Sequence, residues 1–224
     1  MFTFANPLVI NLKNYSEISG VNSVRIADEA KKVVQSRHRE IIIAPPASSI
    51  MALSETKLPI ISQHVDDAPL GATTGFTVPE IVKSHGAIGS IINHSEHKID
   101  HTQISNLVKR LRELDMISIV CADDLEEVEA LSQISPDYLA IEPPELIGKG
   151  IAVSKANPSI ISDSVRVVRR ISPTVKVLCG AGIVDKTDVR KALELGAEGI
   201  LISSGVVKSE SWYDKILELS EVLK

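Results

Sequence analysis

Eight short, almost continuously apolar runs recur along this 224-residue chain, each followed by a longer stretch of helical periodicity. The runs span 8–13, 40–44, 59–65, 88–93, 117–122, 138–142, 176–180 and 199–203. They are rich in Ile and Val and show no polar alternation. That is the pattern of parallel strands covered on both faces. Their starts lie roughly 20 to 40 residues apart, enough for a crossover helix each time.

The helical stretches read as 19–35, 78–85, 103–114, 123–134, 157–171, 185–195 and 210–223, with 46–54 the least defined. In 103–114, Ile104, Leu107, Val108, Leu111 and Leu114 fall on one face. Asp100 reads as an N-cap before it, and Asn157-Pro158 as an N-cap followed by proline at the first helical position. No Gly/Ser tract or charge block marks a linker. The economical closure of eight such units is an α/β fold, a (β/α)8 barrel occupying 1–224 as one domain. A doubly wound open sheet is disfavoured. Neither Gly148-Lys149-Gly150 nor Gly180-Ala181-Gly182 completes the dinucleotide fingerprint.

Composition removes several functions. A net charge of −5 argues against a duplex binder, and seven aromatic residues are too few for a single-strand stacking platform. No apolar run approaches the roughly 18 residues of a membrane span, and the first residues do not form a signal peptide. Cys121 and Cys179 lie in separate apolar runs, which suits buried thiols in a reducing cytoplasm.

In a barrel, chemistry sits where strands end. Asn11 and Lys13 close the first run; two apart on a strand, they point to one side. Lys13 is either a mouth cation wanting an anion or a surface lysine. Asn93-His94-Ser95-Glu96 closes the fourth run, where His94 is either a hydrogen-bond donor to substrate or a core-edge histidine. His94, His97 and His101 have a spacing that could suit zinc, but the Asp100 cap breaks the element. Glu142 ends the sixth run before Pro143-Pro144, as a general base or as a cap. The stretch 145–156 reads as a long functional loop, of the lid kind. Gly180-Ala181-Gly182 and Ser203-Ser204-Gly205 end the last two runs as phosphate-approaching loops or tight left-handed turns.

Taken in order, Asn11-x-Lys13, Gln63-His64, Gly71-Ala72-Thr73-Thr74-Gly75, Asn93-His94-Ser95-Glu96, Ala140-Ile141-Glu142-Pro143, Ile147-Gly148-x-Gly150 and the two small-residue loops resemble the triosephosphate isomerase family, in its compact archaeal branch. The resemblance implies interconversion of dihydroxyacetone phosphate and D-glyceraldehyde 3-phosphate, a step of glycolysis and gluconeogenesis. It implies Glu142 as base and His94 as a neutral electrophile, a pairing that is the family's own known chemistry. Lys13 would be the fixed cation, Asn11 would bond the substrate oxygen, and Glu96 would hold neighbouring groups. Ile147, Gly148, Gly182, Ser203 and Ser204 would hold phosphate, with 147–156 as the lid. No metal or organic cofactor is implied. The Thr73-Thr74-Gly75 loop would insert into a second subunit near Asn11 and Lys13, in a homodimer or homotetramer.

The chain departs from the family at Phe76, where Glu is usual, at His97, where Arg is usual, and at Lys149, where Thr is usual. The tryptophan usual near the lid hinge is missing. The competing readings are a metal-dependent sugar-phosphate epimerase or other phosphate-binding barrel isomerase, and a non-catalytic sugar-phosphate-binding barrel.

Overall fold

The computed structural model describes residues 3–143 and 157–223. Seven strands form one parallel sheet: β1 (Leu8–Asn11), β2 (Ile41–Ala44), β3 (Gly89–Ile92), β4 (Ile117–Ala122), β5 (Tyr138–Ile141), β6 (Lys176–Cys179) and β7 (Ile200–Ile202). Their order is β2-β1-β7-β6-β5-β4-β3, so β1 lies between β2 and β7.

The third apolar run closes the ring without forming a full strand. Ile60 bridges to Ile43 and Ser62 to Ser90, both parallel. The Ile61 N–H donates to Ile43 O (2.9 Å) and the Ile91 N–H to Ser62 O (2.9 Å). Beyond Ser62 the pairing stops, and the Ser62 hydroxyl donates to the His64 carbonyl (2.6 Å). The barrel therefore has the eight positions read from the sequence, one of them reduced to two bridges.

Alternation along each strand sorts the apolar residues into two cores. Val9, Ile42, Ile61, Ile91, Ile119, Ala140, Leu178 and Leu201 fill the barrel interior. Leu8, Ile10, Ile41, Ile43, Val120, Leu139, Val177 and Ile200 face outward and meet the helices. Burial on both faces explains why the runs read as continuously apolar.

The outer layer is α1 (Asn22–Arg37), α2 (Ile50–Ser54), α3 (Pro79–Ser84), α4 (His101–Glu113), α5 (Leu125–Ser132), α6 (Pro158–Ile171), α7 (Lys186–Glu194), α8 (Ser204–Val207) and α9 (Trp212–Ser220). Ile104, Leu107, Val108 and Leu111 form the buried face of α4. Asp100 caps that helix in a reciprocal box with Gln103, as its position predicts. Pro158 opens α6, but the Asn157 side chain caps no backbone N–H; it accepts from the Ser159 hydroxyl instead (2.9 Å). Among the described residues, no helix is long and apolar enough to cross a membrane.

Candidate active site

Inward parity carries past the strand ends. Residues 138 and 140 face the interior, so Glu142 does as well, and the same holds for Asn11 after Val9 and Ser203 after Leu201. All three line a cavity of about 350 Å³ at the C-terminal ends of the strands, together with Lys13, His94, Gly180, Gly182 and Ser204. A second cavity of about 380 Å³ shares Asn11, Lys13 and His94 and extends to Gln63, His64, Glu96 and His97.

Glu142 is almost fully buried. Burial pushes its carboxyl above the ordinary value; His94, a hydrogen bond from the Cys121 thiol and the Lys13 charge pull it back. Its Oε2 lies 3.5 Å from His94 Nε2 and makes no hydrogen bond among the described residues. Gly180 is the floor on which it lies. A Cβ there would stand 2.4 Å from Glu142 Cγ and 2.9 Å from Oε1, so a side chain at 180 and this glutamate pose exclude each other.

His94 is buried, and its Nδ1 accepts the Glu96 N–H at 3.1 Å. A ring nitrogen that accepts must carry its lone pair, so in the neutral ring the proton sits on Nε2. That proton faces Glu142 and the cavity.

Lys13 reaches the mouth by a route its spacing did not predict. The strand ends at Asn11, and Lys13 adopts a left-handed backbone (φ 46°). Such a conformation costs a non-glycine residue about 1–3 kcal/mol and persists only where neighbours impose it. Here the Asn11 Oδ1 accepts the Lys13 N–H (3.0 Å), and Gln63 Nε2 donates to the Lys13 and Ala44 carbonyls (3.1 and 3.0 Å). Lys13 Nζ pairs with Glu96 Oε1 at 2.7 Å, so Glu96 serves both Lys13 and His94.

The sequence pointed to Gln63 as part of the Gln63-His64 motif at a strand end, without a role for it; its grip on Lys13 comes from the fold. Asn93 was missed as an organiser as well. It is left-handed (φ 60°), its Nδ2 donates to Cys121 O (3.0 Å) and Glu127 Oε1 (2.8 Å), and its Oδ1 accepts the Ile99 N–H (3.2 Å). An asparagine directly after an apolar strand is the available signal, since Asn tolerates that backbone.

Gly182 does take a left-handed turn (φ 69°). Ser203–Gly205 do not form one. Ser203 is the N-cap of α8, a short helix the sequence reading did not foresee. Helix geometry leaves the first-turn N–H groups of Ser204 and Gly205 without intrahelical acceptors, and both residues line the first cavity. The buried Ser203 hydroxyl has no partner among the described residues.

Ile147, Gly148, Lys149 and the expected lid lie outside the described residues. His97 stacks on His64, ring centroids 3.9 Å apart, while His101 opens α4. Among the described residues no three His, Cys, Asp or Glu side chains gather as a metal site requires.

A family model described as triosephosphate isomerase matches residues 6–220. The triosephosphate isomerase of Cenarchaeum symbiosum is 46% identical over 216 residues, covering 96% of this chain and 97% of that protein. That of Methanothermus fervidus is 43% identical over 213 residues, covering 95% and 96%. That of Methanocaldococcus jannaschii is 42% identical over 213 residues, covering 95% and 97%.

Proposed function

This chain belongs to the triosephosphate isomerase family and is an isomerase, and we propose that Glu142, His94 and Lys13 carry the proton transfer between dihydroxyacetone phosphate and D-glyceraldehyde 3-phosphate. One observation supports the assignment most. A buried carboxylate whose affinity for a proton is raised lies beside a histidine whose Nε2–H faces the same cavity. A base aimed at one carbon and a donor aimed at the carbonyl oxygen on the next carbon must be neighbours.

The chemistry follows from the substrate. A carbonyl acidifies the C–H next to it. Glu142 takes that proton, and the electron pair moves onto the carbonyl oxygen to give an enediolate. His94 Nε2–H bonds to the developing oxyanion, and Lys13 supplies a fixed positive charge in a water-poor cleft. His94 passes its Nε2 proton to that oxygen and takes the proton of the neighbouring hydroxyl in exchange, and Glu142 returns its proton to the former carbonyl carbon, so atoms and charge balance without a metal or organic cofactor. Asn11 bonds a substrate oxygen. The phosphate is assigned to backbone N–H groups at Gly182, Ser203 and Ser204, and Ile147 and Gly148 belong to the same reading.

A coupled assay on D-glyceraldehyde 3-phosphate, with and without chelator, tests this. Full turnover in chelator is expected. A silent wild-type protein overturns the reading, and loss of turnover in chelator favours the metal-dependent epimerase.

Self-association belongs to the same proposal. The 66–77 loop is stapled at its neck, where the Asp66 N–H donates to Thr77 O (2.7 Å) and the Thr77 N–H to Asp66 Oδ2 (2.6 Å). Arg110 holds its base through Ala68 O and Glu80. Leu70 and Phe76 stand exposed on it. A second copy's loop would occupy the cavity beside Lys13, Glu96 and His97, with Phe76 giving an apolar contact where the family has a charge. Sedimentation should return a dimer or tetramer, and Phe76→Ala should weaken it. A monomer, or an unaffected variant, removes that contact.

A further inference from the structure

The wall of the first cavity carries a cation that the reaction scheme leaves unused. Lys208 and Tyr15 line it together with Ser203 and Ser204. Lys208 Nζ stands over the Tyr15 ring, 4.7 Å from its centroid. A lysine side chain at a surface normally samples many rotamers. Cation–π contact with a partly buried ring narrows that choice and holds the ammonium at the rim. The Lys208 N–H also donates to Ser204 O (3.0 Å), so the lysine ends the same short helix whose first-turn amides open onto the cavity. Lys13, the other cation there, is already paired with Glu96 at 2.7 Å. Among the described residues Lys208 has a looser partner: it helps hold the exposed Glu17 carboxyl below its ordinary value, the least of the causes acting there.

We propose that Lys208 is a second cation for the substrate's phosphate, drawing the dianion into the first cavity and holding it at the wall that Lys208 and Tyr15 form, without entering the proton transfer. The proposal rests on the isomerase reading of this site. A rim charge acts on capture and on its salt dependence more than on chemistry. Tyr15 is then a positioning residue, and Glu17 works against Lys208 by partly cancelling its field.

The test pairs KM with kcat. Lys208→Met should raise KM for D-glyceraldehyde 3-phosphate, and Ki for inorganic phosphate, by about three- to tenfold, with kcat changed less than twofold. Its kcat/KM should fall less steeply with added salt than that of wild type. Lys208→Arg should restore both, Tyr15→Leu should give a smaller rise in KM, and Glu17→Gln should lower KM. Isomerisation of unphosphorylated D-glyceraldehyde should not respond to Lys208→Met. Unchanged KM, Ki and salt slope in Lys208→Met overturns the proposal, as does an equal loss on the unphosphorylated aldehyde. If wild type proved inactive on triose phosphates, the isomerase reading would fall. Calorimetric binding of inorganic phosphate to wild type and Lys208→Met would still decide the role of Lys208.

Discussion

The two ends of the barrel are built from the same strands yet obey different rules. At the N-terminal end polar groups close on one another. Glu40 Oε2 accepts the Ala5 and Asn6 N–H groups (2.7 and 2.9 Å). The Tyr138 hydroxyl donates to Phe4 O (3.0 Å) and accepts the Phe4 N–H (3.2 Å), and Lys176 Nζ donates to the same carbonyl (2.6 Å). Asp137 and Ser118 exchange three hydrogen bonds. At the C-terminal end, Ser95 Oγ, Glu142 Oε2 and Ser203 Oγ are buried with no partner among the described residues. A buried polar atom without a partner costs roughly 1–3 kcal/mol. That cost is tolerated where a ligand can meet it.

Backbone strain divides the same way. His38, Lys57, Asp115 and Ser135 are left-handed where the chain leaves a helix or helical turn, an ordinary way to stop one. Lys13 and Asn93 are left-handed where the chain leaves a strand, and there the conformation re-aims Lys13 and, through Asn93, the segment bearing His94. One end is largely satisfied, Arg39 Nε apart, and is left-handed only where helices stop; the other leaves buried polar atoms facing the cavity without partners among the described residues and is left-handed where strands end.

Substitutions should separate the two ends. The largest effect is expected at Lys13. Lys13→Ala removes the fixed charge and should lower kcat by about a thousandfold, with little change in melting temperature because Glu96 is exposed enough to be solvated. A large fall in melting temperature with less than tenfold loss of kcat would erase the contrast. Next is Gly180→Ala, whose Cβ would displace the Glu142 carboxylate and lower kcat by about a hundredfold. A pH profile sharpens this second test. Burial raises the Glu142 carboxyl, so the base is protonated, and activity lost, as pH falls through a value above that of ordinary glutamate. In Gly180→Ala the carboxyl is pushed toward water, and the acid limb of kcat/KM should move down. A limb that stays in place means Glu142 is not the group being read.

The smallest effect belongs to the satisfied end. Burial pushes the Tyr138 phenol up to about 12, so it stays a neutral donor at working pH. Tyr138→Phe should cost about 1 kcal/mol of stability in a denaturant titration and leave kcat unchanged. A change in kcat would show that the two ends are coupled.

Much of this was legible because the apolar runs end in polar residues. Asn11, Glu142 and Ser203 were found as polar residues at the ends of apolar runs, and they share the parity of Val9, Ala140 and Leu201; which parity faces inward came only from the fold, since both faces of each run are apolar. What parity could not give was Lys13, whose placement depends on an Asn11 side chain competing for its N–H. Nor could it give α8, where Ser-Ser-Gly composition suits a turn as well as a helix start. Lys208 and Tyr15 lie 193 positions apart in the sequence. Each reads alone as an ordinary surface residue, and only barrel closure brings them together. The weakest strand was half legible. Its apolar run fixed its place in the ring, but nothing in the sequence marks Ser62 as the point where its pairing ends.

That reduced strand has a further meaning. A ladder distributes load over many rungs, whereas this run holds each neighbour through a single bridge, to Ile43 on one side and to Ser90 on the other, like a zip with one tooth a side. Gln63 sits directly beyond the last tooth and grips the Lys13 and Ala44 carbonyls from there. Lys13 is thus tethered to a thin stretch of the wall. Any loosening of that stretch reaches Lys13 through Gln63, so closing the ring and setting the cavity's lysine are one structural problem.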